Sequence, residues 1–312
     1  MFGKMMNNFY YGKSGKGDYT PENLPQNRWQ LFWEMLRVRF SALIRLNLMY
    51  MLCWLPAMLV IMIGALSFLT NLSGLAEGEV TMSLSEVFMS TMSPLLILLV
   101  PCIAITGPFT SGVCYVTRNW ARDEHSFIWS DFKDAVKENW KQSLVISVIT
   151  GLMPLMVYVC WNFYGSMAAD NTFMIVPQVV TMMLGIVWSL AVTYFYPLIV
   201  CYKLRMRDVL RNGFLLAVAR LPMSIAIRLL HAVPAVLVVV LMMFVNPIWC
   251  VFGLFAYYLV LGFGLSRFIT ASYTNGVFDK YINTRIEGAQ VNRGLYNPED
   301  DEDDEESGEE AE

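Results

Sequence analysis

The sequence predicts an all-α fold, a polytopic transmembrane bundle of six spans with both termini cytoplasmic. Three observations predict it. Hydrophobic residues make up 56% of the 312 residues, and the mean hydropathy is +0.47. Six apolar stretches, at 43–69, 94–117, 143–164, 174–202, 224–245 and 248–268, each reach the ~20 residues that cross a hydrocarbon core about 30 Å thick. The 22 Lys and Arg residues occupy only alternate intervals around them: seven up to Arg45, five from Arg118 to Lys141, six from Lys203 to Arg228 and four from Arg267. The other intervals, 70–93, 165–173 and 246–247, hold none. Cytoplasmic loops retain basic residues and translocated loops lack them, which orients the chain with three hairpins pointing outward.

Residues 1–28 are basic and Gly-containing and read as a flexible arm. Gly12-Lys13-Ser14 is similar to the end of a phosphate loop, but Asn7 stands where that motif needs glycine. Trp29, Phe32, Trp33, Leu36 and Phe40 then repeat at helical spacing. Tryptophan on an apolar face with arginine beside it suits a helix lying in the headgroup plane. The first span, preceded by a mostly polar segment, acts as an uncleaved anchor. Arg45 and Asn47 sit shallow within it.

The second span carries Pro94, Pro101 and Pro108, with Thr106-Gly107-Pro108 followed by Thr110, Ser111 and Gly112. Each proline removes a helical hydrogen bond, and the freed carbonyls must find other partners in a membrane. Thr106, Gly107, Pro108, Thr110, Ser111 and Gly112 are therefore either a packing seam of small residues or a discontinuity lining a substrate path.

A second amphipathic segment, Trp129, Phe132, Val136 and Trp140, has Ser130 as its N-cap and precedes the third span. Trp129, Phe132 and Trp140 are candidate cytoplasmic docking residues. Leu204, Val209, Leu210 and Phe214 form a looser third segment, flanked by Lys203, Arg205, Arg207 and Arg211. With Pro56, Pro154 and Pro234 in the odd-numbered spans, the pattern suggests a threefold repeat of interfacial helix plus hairpin. The bland alternative is three unrelated hairpins. Arg228 and His231 share one face of the fifth span. With Asn47 they are candidate intramembrane polar residues, serving function or anchoring and interhelical hydrogen bonding. Residues 283–312 read as a disordered segment ending in the acidic tail 299–312, which holds 11 of the 26 acidic residues. The rest of the chain holds 15 acidic against 22 basic residues, a net of +7 that faces anionic headgroups. The tail is either solvated or a site for a basic partner.

No Asp or Glu lies within a span, which removes the usual carboxylate of ion-coupled transport. Two histidines and six dispersed cysteines give no metal site and no disulfide framework. No catalytic motif appears, so the chain reads as no enzyme, with no cofactor and no nucleic-acid partner. The lipid bilayer is the partner the composition implies, and the sequence specifies no oligomeric state.

Thr106-Gly107-Pro108, Tyr115-Val116-Thr117-Arg118-Asn119, Asp131-Phe132-Lys133 and Lys137 through Gln142 resemble the YesL-like family of bacterial membrane proteins. Leu46-Asn47, Leu55-Pro56 and Phe278-Asp279-Lys280-Tyr281 match further family features. About 50 residues separate Leu-Pro from Thr-Gly-Pro, more than the family usually places there. The resemblance implies a Gram-positive type of plasma membrane and association with carbohydrate-uptake loci, with no functional residue to carry across. The expectation is a non-catalytic accessory or assembly partner of a carbohydrate ABC transport system. The alternative is a transporter subunit whose broken second span lines a substrate path. Gly213 followed by Leu221-Pro222 approaches the coupling loop of an ABC permease, but the spacing is short and its acidic-Ala-Ala start is missing.

Overall fold

Helix start signals set the architecture of the computed structural model, which describes residues 25–78 and 81–296. The basic arm up to residue 24, including Gly12-Lys13-Ser14, and the acidic tail 299–312 lie outside the described residues. The Asn27 side chain accepts from the backbone N–H groups of Trp29 and Gln30 at 3.1 and 2.9 Å and opens α1 (Arg28–Glu77). Gly78, at φ +76°, closes it. Ser83 and Glu86 form a reciprocal capping box at the start of α2 (Leu84–Trp120), a single helix through all three prolines. Next come α3 (Ile128–Ala168), a 3₁₀ turn (Thr172–Met174) and α4 (Ile175–Cys201). The short α5 (Met206–Ala219) leads into α6 (Leu221–Leu241). α7 (Pro247–Tyr257) runs through a π-helical turn (Tyr258–Gly262) into α8 (Phe263–Tyr281). Among the described residues, six helical segments are long and apolar enough to cross a membrane.

The aromatic segments differ from the expected interfacial helices. Trp29–Phe40 forms the first turns of α1, whose 50 residues extend about 75 Å at 1.5 Å per residue. No Gly or Pro interrupts residues 28–55, and each residue added to an existing helix gains a hydrogen bond. The Trp129–Trp140 segment likewise belongs to α3. Ser130 is not the N-cap. The helix starts behind Phe127, and Asp131 Oδ2 reaches back to accept from Phe127 N at 2.9 Å and Ser126 Oγ at 2.7 Å. Only the third segment is a separate helix, α5, and it buries Val209, Leu216 and Ala217 against the bundle.

Both ends of the fold are chemically distinct. The start of α1, the end of α2, the start of α3, α5 and the end of α8 gather the Lys and Arg residues at one end, called the basic end below. Residues 81–83, 169–174 and 242–246 at the opposite end contain none. The two buried clusters lie toward the basic end. One joins Trp188, Tyr194, Phe195 and Leu198 of α4 to α5 and α8; the other joins Leu43, Leu46 and Tyr50 of α1 to Val113, Trp120 and Phe268.

Residues 283–296 depart from the expected disorder. After a 3₁₀ turn (Asn283–Arg285), the chain forms a strap across the basic end. Asn292 N donates to Asp279 Oδ2, Arg293 pairs with Glu124, and Tyr296 N donates to Pro25 O. Gly294, at φ +84°, brings the strap against the Arg122 carbonyl, where a Cβ would lie 2.9 Å from that oxygen. These long-range contacts supply what local composition lacks.

Candidate functional site

Thr106 through Gly112 span nearly two turns of α2, with Gly107 and Gly112 turned toward α3 and Thr110 toward α1. Pro108 cannot donate to the Ala104 carbonyl, and Ser147 Oγ of α3 donates to that oxygen instead, at 2.6 Å. Gly107 makes the approach possible. A Cβ there would overlap Ser147 Oγ and the Ser143 carbonyl oxygen. At Gly112 a Cβ would lie 2.6 Å from the Phe132 ring. Thr106 and Ser111 bond back to their own helix, at Ile103 O and Pro108 O. Thr110 Oγ1 donates to Thr106 O at 2.8 Å, so the 2.6 Å contact with Tyr50 of α1 makes the tyrosine hydroxyl the donor. The small and hydroxylated residues of α2 are thus engaged in helix contacts.

Asn47 sits where α1 crosses the π turn. A π turn leaves backbone groups outside the regular helical ladder. Asn47 Nδ2 donates to the carbonyls of Tyr258 and Leu259 at 3.2 and 2.8 Å, and Gly264 N donates to Asn47 Oδ1 at 2.8 Å. The fully buried side chain clamps α1 to the last span.

Arg228 and His231 of α6 face α8, where the geometry adds a residue that sequence reasoning missed. Arg267 lies within electrostatic range of both. Its guanidinium stands 5.5 Å from the centre of the Tyr196 ring, with Tyr50 and Cys114 also beside it. Thr270 Oγ1 donates to Ser266 O and lies 3.5 Å from His231 Nε2. Arg228 Nε is buried without a hydrogen-bond partner. Toward the basic end a directed chain follows: Tyr273 donates to Tyr194, Tyr194 to Ser224, and Ser224 to Arg220 O, at 2.9, 2.7 and 3.0 Å. Five helices therefore contribute to a polar belt. It contains Arg228 and Arg267, with Arg220 at its basic end, and no carboxylate, and among the described residues none of the three forms an ion pair. In a low-dielectric setting such a belt attracts anions and repels cations. Arg267 lies one residue inside the end of the 248–268 stretch and counts with the basic residues that follow it, so the sequence alone does not single it out.

The candidate docking residues separate. Trp129 is 65% exposed and Trp140 47% exposed, whereas Phe132 is buried against Phe109 and Gly112. Phe132 is a core residue, since the glycine seam draws its face of α3 onto α2. The first segment divides similarly: Phe32 stacks on Phe268, while Trp29 and Trp33 remain exposed. Among the described residues no group of His, Cys, Asp and Glu is arranged to hold a metal ion.

Residues 84–161, covering α2 and most of α3, match the model of a family described as a protein of unknown function, DUF624. The match takes in a quarter of the chain, including the Gly107–Ser147 seam. No curated protein and no solved structure matches the chain.

Proposed function

We propose that this is a multi-pass plasma-membrane protein, with both termini cytoplasmic, that acts as a non-catalytic accessory or assembly partner of a membrane transport system. The observation that carries this reading is the pairing of exposed tryptophans with basic residues at one end of the bundle. Trp29, Trp33, Trp129 and Trp140 project from the basic ends of α1 and α3, and tryptophan and arginine are the residues that most often anchor protein interfaces. The distribution of Lys and Arg supports placing that end in the cytoplasm. The carbohydrate ABC system is the partner suggested by the YesL-like resemblance.

A second reading, a subunit that itself lines a substrate path, draws on the Arg228–Arg267 belt rather than on α2. Helix α2 is continuous, and its polar groups serve packing.

Copurification of the full chain from native membranes tests the first reading. Recovery of permease and ATPase subunits, reduced when Trp129 and Trp140 are both changed to alanine, is the expected result. A partner-free preparation would count against it, and sugar uptake by the reconstituted chain alone would favour the second reading. Reporter fusions at Gly74 and Glu138 test the orientation; an external signal from Glu138 would reverse it.

A further inference from the structure

The C-terminal strap leaves an open cleft of 390 Å³ at the basic end, within the size range of small-molecule sites. Arg118 in the last turn of α2 and Arg122 in the turn that follows it form one wall. Tyr202, Asn275 and Asn283 add polar groups, and Ala289 with Gln290 of the strap forms the opposite side.

The charges do not cancel. Asp279 lines the cleft, but its oxygens are already taken: Oδ1 accepts from Asn283 Nδ2, and Oδ2 from Arg28 and Asn292 N. Arg122 Nε lies 3.1 Å from Glu124 Oε1 yet is misaligned for a hydrogen bond, and Arg293 shares the same carboxylate oxygen. Arg118 has no carboxylate partner among the described residues. Its guanidinium donates to Asn119 Oδ1 at 3.1 Å and also meets the Cys201 thiol, and its Nε is buried without a partner. Both Nε atoms are closed off from solvent, so the donors left to the cleft are the terminal Nη groups of the two arginines, beside neutral amide and phenol groups.

We propose that this cleft binds a phosphate ester carrying free hydroxyl groups. Arg118 is the principal phosphate contact, Arg122 the second, and Tyr202, Asn275 and Gln290 meet the hydroxyls. Guanidinium groups match phosphate geometry and form charge-assisted hydrogen bonds. The same chemistry is offered by a soluble sugar or glycerol phosphate and by a phosphatidylglycerol headgroup. The site is separate from the tryptophans that carry the accessory reading, so copurification and ligand binding can fail independently.

The test uses the purified full chain, with thermal unfolding followed by tryptophan fluorescence. One arm titrates glycerol 3-phosphate, glucose 6-phosphate and inorganic phosphate against the protein in neutral detergent. The other compares phosphatidylcholine nanodiscs with and without phosphatidylglycerol. A stabilising shift from a soluble ester supports a free phosphate ligand; a shift from phosphatidylglycerol alone supports the headgroup. In either case Arg118→Gln weakens binding by about tenfold or more, as loss of a charge-assisted contact requires. Ala289→Trp, which fills the cleft from the strap and leaves the residues of α2 unchanged, abolishes the shift as well and guards against misfolding of the arginine variant. The proposal is overturned if no phosphate-bearing probe shifts the transition, or if the shift survives both substitutions.

Discussion

Gly107→Ala isolates the contact that joins α2 to α3. In an isolated helix the change would be favourable by about 1 kcal/mol, because alanine is the better helix former. Here the new methyl overlaps Ser147 Oγ and the Ser143 carbonyl oxygen and lies 2.7 Å from Ser147 Cβ. The carbonyl is fixed within α3, so rotating a side chain cannot relieve the overlap. Restoring ordinary contact requires the helices to part by roughly 1 Å, an overpacking cost of about 1–3 kcal/mol. Parting them also breaks the 2.6 Å bond from Ser147 to Ala104 O, worth about 0.6–1.7 kcal/mol between membrane helices. The net expectation is a loss of about 1–4 kcal/mol after the propensity gain.

The assay is reversible unfolding in mixed micelles by SDS titration, followed by far-ultraviolet circular dichroism. Gly253→Ala in α7 is the matched control. It is also a helical glycine, but a Cβ there meets nothing within 4 Å. It should be neutral or gain up to about 1 kcal/mol. Equal stability of Gly107→Ala and the parent protein would refute the close-contact argument. Equal losses in both variants would show that the cost is not specific to the seam.

Three further outcomes follow from other contacts. Asn47→Leu removes three hydrogen bonds at the π turn, at about 0.6–1.7 kcal/mol each, and should lower stability in the same SDS titration by about 2–5 kcal/mol; an unchanged midpoint would contradict the clamp. Gly294→Ala places a side chain at φ +84° and against the Arg122 carbonyl, so limited proteolysis should cut the strap faster than in the parent; equal cleavage rates would count against a pinned strap. Asp123, in the loop between α2 and α3, has its pKa raised by burial, opposed by Arg39 and reinforced by Glu34. A carboxyl raised on folding contributes stability below its unfolded pKa of about 3.9 and loses it as pH rises through the folded value. Asp123→Asn should therefore stabilise the protein at neutral pH relative to the parent, with the difference fading in acid; the reverse trend would show that the Arg39 attraction dominates.

The six spans were legible because length, hydropathy and charge alternation are local properties of the chain. The seam was half legible. Gly107 and Gly112 marked small-residue packing or a path, and only Ser147, brought from another helix to Ala104 O, shows how the carbonyl freed by Pro108 is satisfied. Arg267 was invisible for a related reason: its neighbours Arg228, Tyr196 and Tyr50 belong to three other helices. Trp129 and Phe132 share a helical stripe in sequence, yet they separate because the stripe crosses the edge of the α2 contact. The strap reads as polar coil, and Arg28, which donates to Asn292 Oδ1, lies 264 residues away.

These differences have a common origin in the solvent. Lipid tails are as apolar as leucine, so hydrophobicity drives helices into a bilayer without telling them which neighbours to choose. Close backbone approach and polar side chains make that choice. Both are concentrated toward the basic end, where Asn47, Thr110, Ser143, Ser147, Ser224 and Thr270 are buried. Toward the opposite end, Ile97, Leu98, Val180, Met183, Val236 and Val239 remain exposed, as smooth apolar flanks should when lipid serves them equally well. The hydropathy pattern therefore specifies where these helices cross, and the glycines, hydroxyls and amides specify where they touch. The Arg118–Arg122 cleft and the Arg228–Arg267 belt lie on the touching side, where fixed neighbours can hold charged groups in place.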